Sequence, residues 1–308
     1  MWAKNIQVYR IPKNWDMTQE KLESGLSTKL FQPCSSLETE SSGWVPVRKT
    51  SPAVVQAVGK NMMVMFCAGK KLIPSSVVAE QVKIKAAEIE NAQGYTPGRK
   101  QLKQLKEDVI EALIPRAFEV KKTTMAWFDL KNGWLIIDTT STNKADEVIK
   151  HLLTAIDKFP IQSLKLERTP VAAMTNWLSI DEAPRGFTVD QDTELKSKEE
   201  GGATVRYLKH TPENQDMQRQ ITTGKHCTRL ALTWEDKISF VLTETFSIKK
   251  IAPLAVLKES EDLSGKNDEE RFDADFMLMA AEIGSLLNDL TAELGEIGEM
   301  KEEERLAA

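Results

Sequence analysis

TTMAWFDLKNGWLIIDTT, residues 123–140, sets two apolar-rich runs, Thr123 to Leu130 and Trp134 to Thr140, on either side of Lys131-Asn132-Gly133. An Asn-Gly pair between alternating apolar runs is the strongest short-range hairpin signal, because the tight turns that match strand twist need residues tolerant of positive φ. On the N-terminal side of this hairpin a helical period runs from Arg99 to Ile114 and stops at Pro115, with Leu102, Leu105, Val109, Ala112 and Leu113 as its apolar side. On the C-terminal side Asn143 to Ile156 reads as another helix, with Val148, Ile149, Leu152 and Leu153 facing inward.

Further toward the N-terminus, Lys4 to Ile11 alternates like a half-buried strand, and Thr18 to Leu30 carries Leu22, Leu26 and Leu30 at helical spacing. Trp44 to Val47 and Asn61 to Ala68 read as strands, the second apolar enough to be buried on both faces. A helix follows Ile73-Pro74-Ser75, with Ser76 as the expected N-cap and Val78, Val82 and Ile89 as its buried stripe. Asn91 to Gly98 breaks it with two glycines and a proline.

The second half partly echoes this order. Thr211-Pro212 offers an N-cap and a first-turn proline, Gly224 a stop, and Thr228 to Trp234, Ile238 to Thr243 and Ser247 to Ile251 form a meander around Glu235-Asp236-Lys237. Residues 99–140 and 211–243 are either a distant duplication or two hairpins that resemble each other by chance. A final helix, Asp268 to Leu294, places Phe272, Phe276, Met279, Ile283, Leu286, Leu290 and Leu294 on one face. Helix and strand runs without steady β-α-β alternation predict an α+β fold of antiparallel hairpins and long amphipathic helices. The expected divisions are 1–160, an α+β region with a basic helix and hairpin; 161–225, a finger-like or tip region; and 226–308, a meander with an acidic helix.

A hydrophobic share of 41% over 308 residues is enough for real cores. No apolar run reaches the length of a membrane span, and the N-terminus lacks the order of a signal peptide, so a cytoplasmic protein is expected. Cys34, Cys67 and Cys227 are odd in number and far apart, which fits a reducing compartment and excludes a zinc-ligand spacing. The net charge of −5 hides an uneven distribution, because residues 259–304 hold 16 acidic residues against 3 basic ones. The remainder is net positive, and residues 60–131 carry 13 basic residues against 8 acidic.

Catalytic signatures are few. Gly69-Lys70-Lys71 lacks the rest of a phosphate-binding loop, and no GxGxxG, GxSxG or HExxH occurs. His151, His210 and His226 have no evident nucleophile or metal partner. Asp273 and Asp275, the pair closest to a nuclease motif, lie two apart on a helix and so do not share a face. They suit the positive end of that helix. No metal or cofactor is expected, and no enzyme activity.

The basic helix says more. Arg99, Lys103 and Lys106 fall within about 60° of one another, with Lys100 beside them. Cations in the first turns oppose the helix dipole unless an anion comes to them, and a row of cations suits a phosphate backbone. The bland reading is a solvated charged face. Arg116, Lys121, Lys122 and Lys131 nearby favour an electrostatic footprint for DNA. No base-reading motif is present, so binding is expected to ignore sequence. Phe118, an aromatic among charges, either plugs the local core or forms an interface contact. Rival readings are a DNA-processing nuclease and a scaffold whose acidic helix docks a basic partner.

Six ordered blocks carry a resemblance: Trp2, Lys4-Asn5 and Val8-Tyr9-Arg10; Gly43-Trp44-Val45-Pro46; Ile73-Pro74-Ser75; Leu113-Ile114-Pro115-Arg116-Ala117-Phe118; Leu230-Ala231-Leu232 with Trp234; and Arg271-Phe272-Asp273-Ala274-Asp275-Phe276. Together they resemble the RdgC family of recombination-associated proteins over nearly the whole chain. Residues 190–224 diverge most, and Val47 stands where the family commonly has a second proline. The resemblance implies an α+β homodimer that closes into a ring with a positive central hole. It also implies binding of single- and double-stranded DNA with little sequence preference, antagonism of RecA-promoted strand exchange by occupying DNA, a nucleoid-associated location, and no enzymatic role. Phe118 matches an aromatic at one family dimer contact, and Lys209-His210 falls where the family has a Lys-Gln pair at the other. Which lysines line the hole is inferred from charge clustering alone.

Overall fold

A computed structural model describes residues 2–13, 15–197, 199, 202–209, 214–259 and 267–297. Along the chain run β1 (Ile6–Arg10), α1 (Gln19–Ser27), β2 (Glu40–Val45), β3 (Val55–Val58), β4 (Asn61–Leu72), α2 (Ser75–Gln93), α3 (Arg99–Leu113), a 3-10 turn (Ile114–Arg116), β5 (Phe118–Asp129) and β6 (Trp134–Asp138). Then come α4 (Thr142–Ala155), α5 (Pro170–Ile180), β7 (Phe187–Ser197), β8 (Thr204–Tyr207), α6 (Asn214–Thr222), β9 (Lys225–Trp234), β10 (Ile238–Thr243), β11 (Ile248–Pro253), α7 (Ala255–Glu259) and α8 (Asp268–Leu294). The fold is α+β. Its strands form an eleven-stranded antiparallel sheet in the order β2-β4-β5-β6-β1-β11-β10-β9-β7-β8, with β3 also on β4.

Two compact units are distinguished. One holds residues 2–19, 55–63 and 125–297, and the other holds Glu20–Val54 with Val64–Thr124. In the first, β1 joins an early hairpin to a late meander, pairing with β6 from Ile6↔Asp138 to Arg10↔Trp134 and with β11 at Ile6↔Ile248. The Asn132-Gly133 hairpin forms as expected, with Asp129 opposite Trp134. Asp129 Oδ1 accepts the backbone N–H groups of Lys131 and Asn132, each at 3.0 Å, which fixes the turn locally. The β9–β10–β11 meander also forms, and Glu235 and Asp236 both take left-handed φ at its first turn.

Helix α8 shows how sequence becomes core. Asn267 caps it by accepting from the Glu270 N–H while Glu270 reaches back to the Asn267 N–H, and three acids occupy the first turn. Phe276, Met279, Ile283, Leu286, Leu290 and Leu294 are buried, each contributing about 1.5–3 kcal/mol. Phe272 is half-buried. The helix is also tied to each hairpin through the tryptophan beside its turn. Trp134 Nε1 donates to Asn288 Oδ1 at 3.1 Å, and Trp234 Nε1 to Asp289 Oδ2 at 2.9 Å. Asn288 in turn donates to Asn132 Oδ1 at 2.9 Å. Gly284 allows this approach: a Cβ there would lie 2.7 Å from Asp129 Oδ2.

Several local expectations are corrected. Helix α1 ends at Ser27, so Leu30 lies outside it and is exposed. The reason is backbone pairing, since Trp44 N–H donates to Lys29 O and Phe31 N–H to Trp44 O. Ser76 is not an N-cap. Helix α2 begins two residues earlier than that cap implies, with Pro74 at the cap position and no side-chain cap bond. Within its expected stripe only Val78 is buried, while Val82 and Ile89 are half-buried. On α3, Leu105 and Val109 are buried but Leu102 and Ala112 are exposed. On α4, Ala145, Val148 and Leu152 face inward and Leu153 is exposed. The expected cap at Thr211-Pro212 lies outside the described residues.

Candidate nucleic-acid interface

Helix α2 stops where Gly94 takes φ 79°, a conformation that glycine alone adopts without strain, and its N–H closes on Glu90 O at 2.8 Å. Tyr95, Thr96, Pro97 and Gly98 then turn the chain into α3. Gly98 occupies the α3 cap position with no side-chain cap bond, and no acid lies in the first turn. Arg99 and Lys100 stand there instead, at the end of the helix where the dipole is positive.

Arg99, Lys100, Lys103 and Lys106 are all exposed. Lys103 lies 3.9 Å from Glu107 in a solvent-exposed pair, worth little in water. Among the described residues no carboxylate comes within ion-pair distance of Arg99, Lys100 or Lys106. Roughly a third of a turn away, α3 buries Leu105 and Val109, and the helix packs against α2. Gln101 Nε2 donates to Gln93 Oε1 at 3.5 Å beside the turn, linking the two helices. The cationic face is therefore held by a thin apolar stripe and left open to solvent.

The same unit carries Arg116, Lys121 and Lys122, all exposed. Lys121 is partly engaged, its Nζ lying 5.1 Å from the Phe31 ring centroid. Phe118 does not plug the local core: it begins β5 at 85% exposure. Lys131 belongs to the other unit, exposed on the β5–β6 turn. Sequence clustering therefore gathers seven of the eight expected DNA-contacting cations in one compact unit and separates the eighth.

Lys209, also exposed, sits at φ 54° and donates its N–H to Asp192 Oδ1 at 3.1 Å, and Asp192 Oδ2 pairs with Lys250 at 3.2 Å. These two contacts hold the Asp192 carboxyl below its ordinary range, the Lys209 N–H first and the Lys250 ammonium second. Asp192 borders a cleft of 140 Å³ that also contains the Arg206–Glu194 pair at 2.6 Å. Sequence alternation hides Asp192, because β7 shifts register between Val189 and Thr193. His210 lies outside the described residues.

Tyr95, at the tip of the α2–α3 hairpin, is a second feature that the sequence pattern does not single out; it is 62% exposed. Asp273 accepts from Gln56 Nε2 at 3.1 Å. Among the described residues no group of three or more His, Cys, Asp or Glu side chains is placed to hold a metal ion. Among them, too, no helix is long and apolar enough to cross a membrane.

Residues 1–297 match the family model described as "Putative exonuclease, RdgC". The chain is 54% identical over 295 residues to the recombination-associated protein RdgC of Herminiimonas arsenicoxydans, covering 96% of this chain and 98% of that protein. It is 52% identical to the protein of the same name from Janthinobacterium sp. (strain Marseille), with the same coverage. The Burkholderia ambifaria protein is 49% identical over 96% of both chains.

Proposed function

The chain belongs to the RdgC family of recombination-associated proteins, and from that premise we propose that it binds DNA, single- and double-stranded, without reading bases. The observation that carries this reading is the α3 face: four exposed cations, three of them without an ion-pair partner among the described residues, on a helix whose first turn carries no acid. An arriving phosphate would relieve the unfavourable dipole and release condensed counterions. In this reading two chains close into a ring through Phe118 at one contact and the Lys209-His210 segment at the other, encircling DNA in the cytoplasm at the nucleoid. RecA-promoted strand exchange is limited because the DNA is occupied. An aromatic left 85% exposed at the start of a strand supports the first contact, since aromatics concentrate at interface centres.

Affinity measured against salt tests the reading. The log–log slope is expected to be about 0.9 per neutralised phosphate on duplex DNA. Changing Arg99, Lys100, Lys103 and Lys106 together to Glu should flatten it and weaken binding to every sequence alike. A native slope near zero, or an unchanged slope in the fourfold variant, sinks the proposal. RecA inhibition should disappear with DNA binding in that variant, and light scattering of Phe118→Ala should show loss of dimer mass.

The family description favours a second reading, cutting from DNA ends. Incubation of end-labelled DNA with the protein and Mg²⁺ or Mn²⁺ decides between them. Degradation that Asp273→Asn or Asp275→Asn abolishes would replace the binding-only reading.

A further inference from the structure

We propose that Tyr95 is a stacking platform for an unpaired base, so that the tip of the α2–α3 hairpin contacts single-stranded DNA in a way that it does not contact a duplex. The proposal rests on the DNA-binding reading above and adds a base-face contact to its phosphate contacts.

Tyr95 buries too little surface to serve the core, at 62% exposure in the five-residue turn Gly94–Gly98. A single exposed aromatic is ordinary on a protein surface, and taken alone Tyr95 would be a solvated loop residue. Three observations set this one apart. The turn is held at its base, because the Gly94 N–H bonds to Glu90 O, the Leu102 N–H bonds to Gly98 O at 2.9 Å, and Gln101 links to Gln93 across the two helices. The flanks are open: a Cβ added at Gly94 or at Gly98 would meet no atom within 4 Å, so the turn on both sides of Tyr95 is uncrowded. Arg99 and Lys100 follow within one helical turn, exposed and without an ion-pair partner among the described residues. An aromatic ring beside unpartnered cations is the combination that binds single strands, the cations tracking the backbone while the ring takes a base.

Selectivity follows from what each form of DNA exposes. Phosphates are present on both, so Arg99, Lys100, Lys103 and Lys106 serve single and double strands alike. The π-face of a base is free only where the strand is unpaired, and reaching it in a duplex requires unstacking. Every base has such a face, so the contact tolerates any sequence.

The experiment uses the full chain with a fluorescein-labelled oligo-dT and a duplex of the same length. Tyr95→Ala should weaken oligo-dT binding roughly tenfold. Duplex affinity should stay within about twofold, and the salt slope should not move, because no phosphate contact is removed. Tyr95→Phe should bind oligo-dT like the native protein. Tyr95→Trp should also bind, with its emission quenched by oligo-dT and not by duplex. Unchanged thermal unfolding of Tyr95→Ala separates loss of contact from loss of fold. The inference fails if Tyr95→Ala binds oligo-dT as the native protein does, if both DNA forms weaken equally, or if the variant alters only dimer mass. If the native protein binds neither DNA at low salt, the DNA-binding reading itself has failed.

Discussion

Helices α8 and α3 are both amphipathic and both pack along one side, yet they were assembled under opposite rules. Helix α8 has a reciprocal cap at Asn267 and Glu270, acids at its positive end and ten buried residues. Helix α3 has a glycine cap with no side-chain bond, cations at its positive end and two buried residues. A glycine cap in place of Asn or Asp costs only about a few tenths of a kcal/mol, and each misplaced charge about 0.3–1 kcal/mol. Stabilising rules are kept where a helix only holds the fold together and are broken where an anion is expected to arrive. Departures from local consistency are therefore more informative about function than the well-formed elements are.

The largest effect that tests this contrast lies in burial. Leu290→Ala on α8 should cost about 2–5 kcal/mol in urea unfolding, because its side chain is fully enclosed. Leu102→Ala on α3 should cost about 0.5 kcal/mol, since Leu102 is exposed; equal losses would erase the distinction. Next come the caps. Asn267→Ala should destabilise by about 1 kcal/mol. Gly98→Asp should do the reverse, because the backbone there is extended (φ −69°, ψ 166°) and the added Cβ meets nothing. It should raise stability by about 0.5 kcal/mol while weakening DNA binding, and a loss of both would show that α3 is not poised for an anion.

The smallest effect concerns charges that are already paired. Asp192 has its pKa lowered from 3.8 by the Lys209 N–H and the Lys250 ammonium. Its contribution is therefore complete above that ordinary value and lost as pH falls through the lower folded value. Hydrogen exchange at the Lys209 amide should stay protected from pH 7 to about 5 and lose protection in strong acid. Asp192→Asn should reduce protection already at pH 7.

Much of this was legible in the residues. The β5–β6 hairpin, the late meander, the α2–α3 break and the α8 face follow from short-range signals that packing reinforces. Helix α5 was equally legible, since Thr169 caps it by accepting from the Ala172 N–H and Pro170 opens it, within the stretch 161–225 expected as a finger-like or tip region. Strand β7 was harder, because two register shifts break its alternation. The outer halves of β4 and β5 carry Lys70, Lys121 and Lys122, all exposed, so twelve-residue strands read as shorter ones. For the site, clustered charge shows in sequence, whereas the exposure of Tyr95 and the grip of Asp192 on Lys209 depend on three-dimensional neighbours.

The pairing of Ile6 with Ile248 also constrains the order of events during translation. Strand β1 leaves the ribosome ahead of residues 11–247, and its partner β11 emerges only after them. Every residue of the unit carrying α3 lies between 20 and 124, and so has been made long before that pairing can form. At about 5–20 residues per second, this leaves several seconds in which the nascent chain carries its cationic hairpin while the first strand still waits for its neighbour.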